Sequence, residues 1–134
     1  MKHNSLTIVF SSRKVDPYYV DLLKATSGIH NVEVISFDNP NGTPLTTLYN
    51  QALDKSNTDI VLFCHDDLKF DKKNWGRKLL NHFNRHKEYG IIGIAGTRYI
   101  PKSARWWEDF SKMHGAVNHE SDGKKWLSRY SKDI

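Results

Sequence analysis

The sequence predicts an α/β fold in which a mainly parallel sheet is sandwiched between helices. Short apolar runs alternate with segments whose apolar residues recur every three to four positions, the pattern of strands followed by helices. A polar loop follows each of the first three runs, and the third run, residues 60–64, holds no polar residue, as in a strand covered on both faces. This order favours a parallel sheet with right-handed crossovers.

The first strand and helix are predicted from residues 6–28. Residues 6–10 form a β-rich run that ends in a polar triplet, residues 11–13. Asp16 and Pro17 provide an N-cap and a first-turn proline for a helix that Gly28 ends. Positions 19, 22, 23 and 26 share one face of that helix, which we expect to pack on the sheet.

The second unit follows the same scheme. Residues 32–37 predict a strand, and the polar loop 38–42 follows it. Thr43 and Pro44 predict the start of a helix by the same combination of cap and proline. Asn50 lies roughly opposite the apolar stripe of this helix, which consists of Leu45, Leu48, Ala52 and Leu53.

The run 60–64 is interpreted as the central strand of the sheet. A third helix is predicted from about residue 73 to 86, because Trp75, Leu79 and Phe83 fall at four-residue steps. Residues 91–95 predict a fourth strand. The periodicity fades after Pro101, so we expect a core in residues 1–100 and a tail without assigned structure in residues 101–134.

Three polar segments are predicted to meet at the carboxyl edge of the sheet, where open α/β sheets bind ligands. Two adjacent carboxylates repel each other, and a hard cation between them and a phosphate relieves the repulsion. A solvated loop is the alternative interpretation of such a pair. The residues of the three segments are Ser11, Ser12, Arg13, Asp38, Asn39, His65, Asp66 and Asp67.

Several classes of α/β protein do not fit this pattern. A phosphoacceptor receiver domain needs acidic residues directly after its first strand, where this chain has Ser11, Ser12 and Arg13. The P-loop motif G-x-x-x-x-G-K-[ST] is absent, and no G-x-G-x-x-G follows the first strand. What remains is a nucleotide-binding sheet whose candidate metal motif follows a later strand.

The charge distribution and the single cysteine indicate which partners and which cellular compartment suit the protein. The net charge of +5 is concentrated in residues 69–98, which hold eight Lys and Arg against two Asp and Glu. This basic stretch suits a nucleotide diphosphate, an anionic membrane surface or a nucleic acid, and a solvated helix face is the alternative. Cys64 cannot form an internal disulfide, and no signal peptide or membrane span is recognisable. We expect a cytoplasmic protein, either free or at the inner face of the membrane.

Five segments together carry a resemblance to a known family. They are I-V-F-S-S-R, I-S-F-D-N, L-Y-N-Q-A-L, D-I-V-L-F-C-H-D-D-L-K-F and G-I-I-G-I-A-G, with W-W beyond the last. Over roughly residues 5–107 the chain resembles the GT-A nucleotide-sugar domain of family 2-like glycosyltransferases. The resemblance implies a Rossmann-like GT-A core that transfers sugar from a nucleoside diphosphate sugar, in polysaccharide or glycan assembly.

The resemblance also implies roles for the polar strand ends. In that family a D-x-D motif or a relative of it holds the divalent ion on the diphosphate, and here the motif reads H-D-D. Mn²⁺ or Mg²⁺ is therefore assigned to Asp67 first, then to Asp66, and last to His65, for which an ordinary loop histidine is the alternative. The nucleotide-sugar contacts implied are Ser11, Ser12, Arg13, Asp38, Asn39, Asn50 and Asp66.

The acceptor implied by the resemblance is a glycan or a lipid-linked glycan. In the family, the acceptor-binding half follows the G-I-I-G-I-A-G strand and needs about a hundred further residues, a domain-scale length. Since residues 99–134 are shorter than that, we expect the chain alone to transfer sugar poorly, with no assigned general base. Trp106 and Trp107 are interpreted either as sugar-stacking groups or as core anchors. The remaining candidate bases are Glu108, Asp109, Glu120 and Asp122.

A non-catalytic nucleotide- or polyanion-binding α/β module is the alternative to a glycosyltransferase-like domain. Metal dependence separates the two, because a polyanion module binds any polyanion without metal and with strong salt dependence. We expect no nucleic acid partner. The donor sugar, the base and the oligomeric state do not follow from the motifs.

Overall fold

A computed structural model describes residues 2–130, which divide into two units between Glu88 and Tyr89. The elements of the first unit are β1 (Ser5–Ser12), α1 (Pro17–Ser27), β2 (Asn31–Asp38), α2 (Leu45–Lys55), β3 (Ile60–Phe63) and α3 (Trp75–Arg85). Those of the second unit are β4 (Ala95–Thr97), a 3₁₀ helix (Phe110–Lys112), β5 (Met113–Ser121) and β6 (Lys124–Arg129).

The first unit is built on a three-stranded parallel sheet in the order β2-β1-β3. The predicted parallel α/β core is confirmed, but the interpretation of residues 60–64 as the central strand is wrong. The middle strand is β1, whose residues Leu6, Ile8, Val9 and Phe10 have no exposed surface, whereas Phe63 of β3 is 37% exposed. An unbroken apolar run indicates cover by helices on both faces, but it does not report how many neighbouring strands pair with it.

Alternating side chains of β1 enter two layers of the core. Leu6, Ile8 and Phe10 belong to one buried cluster with Leu23 of α1, and residues of α3 pack against the same cluster. On the opposite face, the hydroxyl of Thr7 contacts the hydroxyls of Ser56 and Thr58 after α2, at 2.8 and 2.7 Å. Because side chains alternate along a strand, the helices cover both faces of the sheet, as predicted.

The local signals for α1 are confirmed. The carboxylate of Asp16 accepts a hydrogen bond from the N–H of Tyr18 at 2.9 Å, and Pro17 occupies the first helical turn. Gly28 ends the helix with φ of +72°, in the left-handed region that glycine tolerates. The helix therefore begins and ends where its capping residues require.

The predicted start of α2 needs correction by one residue. Pro44, not Thr43, holds the N-cap position, and no side chain caps the helix. Thr43 instead closes the preceding loop, because its N–H donates to the side-chain oxygen of Asn39 at 2.7 Å. Only Leu48 and Ala52 of the predicted apolar stripe are buried, and the other two leucines are almost half exposed.

Helix α3 is amphipathic, and its buried side is held by aromatic packing. Trp75 stacks on Phe70 with ring centroids 3.6 Å apart, and Leu80 and Phe83 are buried. Its other side is exposed and carries no acidic residue. Among the described residues, no helix is long and apolar enough to cross a membrane.

The second unit corrects the prediction of a fourth parallel strand at residues 91–95. The strand is Ala95–Thr97 only, and it pairs antiparallel with β5 in a separate sheet of order β4-β5-β6. Gly115 of β5, with φ of +118°, permits this pairing, because a Cβ there would lie 2.6 Å from the Cα of Ala95. The antiparallel partner comes from the tail, so the segment does not join the parallel sheet within the described residues.

The tail, for which no structure is assigned from the sequence, forms a β-hairpin as far as residue 130. Strands β5 and β6 pair antiparallel from Ala116 opposite Arg129 to Ser121 opposite Lys124. The connecting turn contains Asp122 and Gly123, which both have positive φ, 50° and 72°. Two such residues match the twist of a tight hairpin, and Asp-Gly is a sequence signal for it.

Candidate functional site

An open hollow lies at the carboxyl ends of the parallel strands in the first unit. Its volume is about 420 Å³, within the range of small-molecule sites in proteins. Six residues from the end of β1 and from the loops after β1, β2 and β3 line it: Ser11, Ser12, Arg13, Asn39, Gly42 and Asp66. Five of these six belong to the predicted site, and the sequence places them up to 55 positions apart.

Three consecutive residues at the end of β1, Ser11, Ser12 and Arg13, contribute to the hollow. Ser11 is half-buried, and the hydroxyl of Ser12 donates to the carbonyl of Lys14 at 2.9 Å, which folds the chain after the strand. Arg13 follows directly and is exposed. Within residues 2–130 no carboxylate forms an ion pair with it, so its guanidinium stays available for a bidentate contact with an anion.

The end of β2 builds the neighbouring wall. Asp38 lies opposite Ser12 in the parallel pairing, and its carboxylate accepts the N–H of Val15 at 2.7 Å. The side chain of Asn39 both donates to and accepts from the backbone of Thr43, at 2.9 and 2.7 Å. The Asp38 contact joins this loop to the one after β1, and the Asn39 contacts hold the loop after β2 in its own conformation, so the predicted polar residues also support the walls of the hollow.

The H-D-D segment follows β3, and all three of its side chains are exposed. Asp66 lines the hollow, whereas His65 and Asp67 do not. In the described part of the chain, the carboxylates of Asp66 and Asp67 have no hydrogen-bond partner, so both retain their full capacity to accept from a ligand or bind a cation.

In the part of the chain that the structure describes, the side chains around the hollow offer oxygen ligands for a divalent cation, but not a complete coordination shell. No three His, Cys, Asp or Glu side chains in residues 2–130 converge into a ready-made metal site. Mg²⁺ and similar ions in phosphate-transfer sites are commonly held by one or two carboxylates, with the substrate phosphates and water completing the shell. Asp66 and Asp67 fit that arrangement, since both are exposed, unpartnered oxygen donors in the loop that contributes Asp66 to the hollow.

The side chain of Tyr19, on α1, contacts the backbone of the H-D-D segment and of the residue that follows it. Its hydroxyl lies 2.8 Å from the carbonyl oxygen of Leu68 and 3.2 Å from that of His65. Burial raises the pKa of Tyr19 well above its usual range, and the nearby negative charges of Asp66 and Asp67 raise it further. The hydroxyl is therefore protonated, and able to donate a hydrogen bond, near neutral pH.

Cys64 lies between β3 and the H-D-D segment, and its thiol is buried. Burial, together with the charge of Asp66, raises the pKa of Cys64 to about 11. Since the thiolate is the reactive form, this cysteine behaves as a small apolar side chain near neutral pH.

The structure does not bring every predicted residue to the hollow. Asn50 is exposed on α2 and is not among the lining residues, and neither is Asp38. Gly42 lines the hollow with φ of +71°, a backbone conformation that suits glycine. The side-chain contact of Tyr19 was missed as well, because helical periodicity indicated only that its ring faces the sheet.

The four candidate general bases of the tail lie in the second unit and are exposed. Asp109 caps the 3₁₀ helix, and its hydrogen bonds from Ser111 lower the pKa of its carboxyl group, which weakens it as a base. Glu120 pairs with Lys125 at 3.6 Å. The other two contact serine hydroxyls: Glu108 accepts from Ser103, and Asp122 from Ser121.

The two adjacent tryptophans of the second unit differ in their surroundings. Trp106 is half-buried and meets Trp107 and Tyr130 edge to face, with centroids 6.0 and 5.7 Å away. Trp107 is 54% exposed. Packing therefore accounts for Trp106, while Trp107 keeps an exposed face.

Comparison with known proteins identifies the family. A family model described as "Glycosyltransferase like family" matches residues 11–133. No curated protein and no solved structure gives a significant match. The matched range contains all six residues that line the hollow, together with the whole H-D-D segment. The chain therefore belongs to the glycosyltransferase-like family.

Proposed function

We propose that the hollow binds a nucleoside diphosphate sugar together with Mn²⁺ or Mg²⁺, for glycosyl transfer to a glycan acceptor. In this proposal the first unit is the donor-binding part of a GT-A fold. One observation carries the proposal: an unpaired arginine, two serines and an unpartnered carboxylate from separate strand ends line one hollow at the carboxyl edge of a parallel sheet.

The residues of the hollow divide between the two parts of the donor. Arg13 is the cation among the lining residues and is suited to a phosphate oxygen pair. The two serines of the hollow, and Asp38 directly before the lining residue Asn39, are suited to hydroxyl and amide groups of the nucleoside. The carboxylate of Asp38 contacts Val15 through one oxygen, which leaves the other for a ribose hydroxyl.

Asp66 and Asp67 would hold the divalent ion, with His65 as a weaker third candidate. When bound, such an ion neutralises the negative charge that develops on the departing diphosphate. The contribution of the protein is to present two exposed carboxylates at an edge of the sheet where a phosphate can complete the coordination. No general base is assigned, and transfer requires one for the acceptor hydroxyl.

The exposed side of α3 is proposed as a contact for an anionic membrane surface, as a lipid-linked acceptor would require. The basic residues of α3 and its flanks are Lys72, Lys73, Arg77, Lys78, Arg85 and Lys87. Of the aromatic rings in α3, Trp75 stacks on Phe70 and Phe83 is buried, which leaves His82 exposed, whereas proteins that bind single-stranded nucleic acid stack successive bases on several aromatic rings. This favours a diffuse anionic surface over a single-stranded nucleic acid.

Calorimetric titration of uridine and guanosine diphosphates, with and without Mn²⁺ at constant ionic strength, tests the proposed function. We expect one nucleotide to bind with an affinity that Mn²⁺ raises at least tenfold. The alternative, a polyanion-binding module, predicts equal and salt-sensitive binding of both nucleotides and of inorganic tripolyphosphate without metal. That second result would contradict the proposal.

A further inference from the structure

The hydroxyl of Tyr19 is bound to both ends of the loop that carries Asp66 and Asp67. The two carbonyl oxygens within reach, those of His65 and Leu68, bracket the two carboxylates along the chain. The shorter contact, 2.8 Å to Leu68, is within the usual range for O–H donors, and the longer is 3.2 Å. One side chain of α1 thus spans the candidate metal loop.

Packing alone does not require this hydroxyl. The ring of Tyr19 meets the buried ring of Phe10 edge to face, with centroids 5.1 Å apart, and a phenylalanine would keep that contact. The polar tip projects past the core and reaches backbone oxygens that have no other donor among the described hydrogen bonds. Its distinctive contribution is therefore to the loop.

The other restraints on the loop act at its ends, where the side chain of Leu68 packs against the core cluster. The last backbone hydrogen bond of β3 that leads into it runs from the N–H of Cys64 to the carbonyl of Val9, at 2.9 Å. Neither Asp66 nor Asp67 is held by a side-chain hydrogen bond within residues 2–130. The direction in which the two carboxylates point therefore depends on the loop backbone, which the packing of Leu68 holds at one end and the Tyr19 hydroxyl contacts at both.

We propose that Tyr19 is a positioning residue, whose hydroxyl holds the loop of residues 65–68 so that Asp66 and Asp67 face one metal-bound diphosphate. This inference rests on the proposed function and adds a residue that contacts neither metal nor nucleotide. Loss of the hydroxyl removes one shared hydrogen bond, while the ring and the fold remain. The variant should therefore lose affinity for a ligand that contacts both carboxylates.

The test compares Tyr19→Phe with Tyr18→Phe, which removes the same hydroxyl from the neighbouring residue, 72% exposed. We expect Tyr19→Phe to reduce Mn²⁺-dependent uridine or guanosine diphosphate affinity about five- to tenfold, the loss of roughly one hydrogen bond. Nucleotide affinity without metal should change less than twofold, and so should all affinities of Tyr18→Phe. A purely structural role would not alter the ratio of metal-dependent to metal-free affinity.

The remaining outcomes separate the two proposals. If the wild-type chain gains no affinity from Mn²⁺, the proposed function fails and this inference fails with it. If Mn²⁺ raises the nucleotide affinity of the wild-type chain and of Tyr19→Phe by the same factor, the inference about Tyr19 is overturned and the proposed function stands. A fall of the thermal midpoint by more than about 10 °C in Tyr19→Phe would also overturn it, because one lost hydrogen bond costs only a few degrees.

Discussion

The carboxylate of Asp38 accepts a hydrogen bond from the backbone N–H of Val15 at 2.7 Å. Asp38 ends β2, and Val15 lies in the loop between β1 and α1 that carries Arg13. The contact therefore connects two walls of the hollow. A residue predicted as a nucleoside contact thus also sets the position of the arginine beside it.

This contact leads to a prediction for two variants of Asp38. Asp38→Ala should weaken nucleotide diphosphate binding about three- to tenfold with little change in Mn²⁺ affinity, because the loop of Arg13 loses its acceptor. Asp38→Asn keeps a side-chain oxygen that can accept from the N–H of Val15, so it should lose less nucleotide affinity than Asp38→Ala. Calorimetry of both variants checks this. A loss confined to metal binding would move Asp38 into the metal site.

Acid stability should depend on Asp59. Its carboxylate accepts from the N–H groups of Asn4 and Ser5 and from the Ser5 hydroxyl, at 2.8, 3.1 and 2.9 Å. These bonds lower its pKa below the usual 3.8, so their stabilisation is present above about pH 4 and is lost as the pH falls through the lower folded-state pKa.

Asp59→Asn should therefore lower the thermal midpoint by a few degrees at pH 7, and the difference from the wild-type protein should shrink toward pH 3. Thermal unfolding followed by circular dichroism across this pH range measures it. A midpoint difference that stays constant with pH would show that the charge of Asp59 is not what its partners recognise.

A side chain at position 115 should weaken the pairing of β4 with β5. The φ of Gly115, +118°, disfavours other residues, and the added Cβ would meet backbone atoms of residues 94 and 95. Gly115→Ala should cost about 1–3 kcal/mol and speed amide exchange in β4. Gly96→Ala is the matched control, because a Cβ at that position meets nothing within 4 Å. Equal exchange rates in the two variants would refute the assigned strand pairing.

The basic side of α3 should bind anionic vesicles electrostatically. Co-sedimentation with vesicles that contain about 30% phosphatidylglycerol should fall at least tenfold in the triple variant Lys72→Gln, Lys78→Gln and Arg85→Gln, since each cation near such a surface contributes about 1 kcal/mol. The control removes three exposed cations from the second unit: Lys102→Gln, Lys124→Gln and Arg129→Gln.

The control variant should keep its vesicle binding, and high salt should abolish binding in the wild-type chain. Equal losses in the two triple variants would indicate attraction by net charge rather than by α3. Binding to duplex RNA in preference to vesicles would assign the face to nucleic acid.

Local signals explain how much of the fold could be predicted. Helix α1 was predicted to its ends because Asp16, Pro17 and Gly28 act within one turn of the residues that they cap. The strand at Ala95–Thr97 was misplaced because its partner lies in the tail, and partner choice is not a local property. The hairpin of β5 and β6 was missed although Asp122 and Gly123 carry its turn signal.

Part of the candidate site could also be predicted from the sequence, and part could not. Polar residues at strand ends were predicted because parallel strands bring their carboxyl ends to one edge, which is how Arg13 and Asp66 come to line one hollow. The hydrogen bonds of Tyr19 join residues 46 and 49 positions apart, and no periodicity encodes them. Asn50 was assigned through the resemblance alone and lies outside the lining of the hollow.

The two carboxylates of the H-D-D segment should differ in their contribution. The resemblance ranks Asp67 first, whereas Asp66 is the one that lines the hollow. We expect Asp67→Asn to abolish the Mn²⁺-dependent gain in nucleotide affinity and Asp66→Asn to reduce it, with the fold intact because both side chains are exposed. The reverse order, with both effects present, would keep the metal site and exchange the ranking.

The double variant Asp66→Asn and Asp67→Asn tests the central claim most directly. Its control, Asp21→Asn and Asp54→Asn, removes the same charge from exposed positions on α1 and α2. Titration with nucleoside diphosphate, with and without Mn²⁺, should show the metal-dependent gain in the wild-type chain and in the control but not in the double variant. An unchanged gain in the double variant would contradict the proposed metal-assisted binding of the diphosphate at this edge of the sheet.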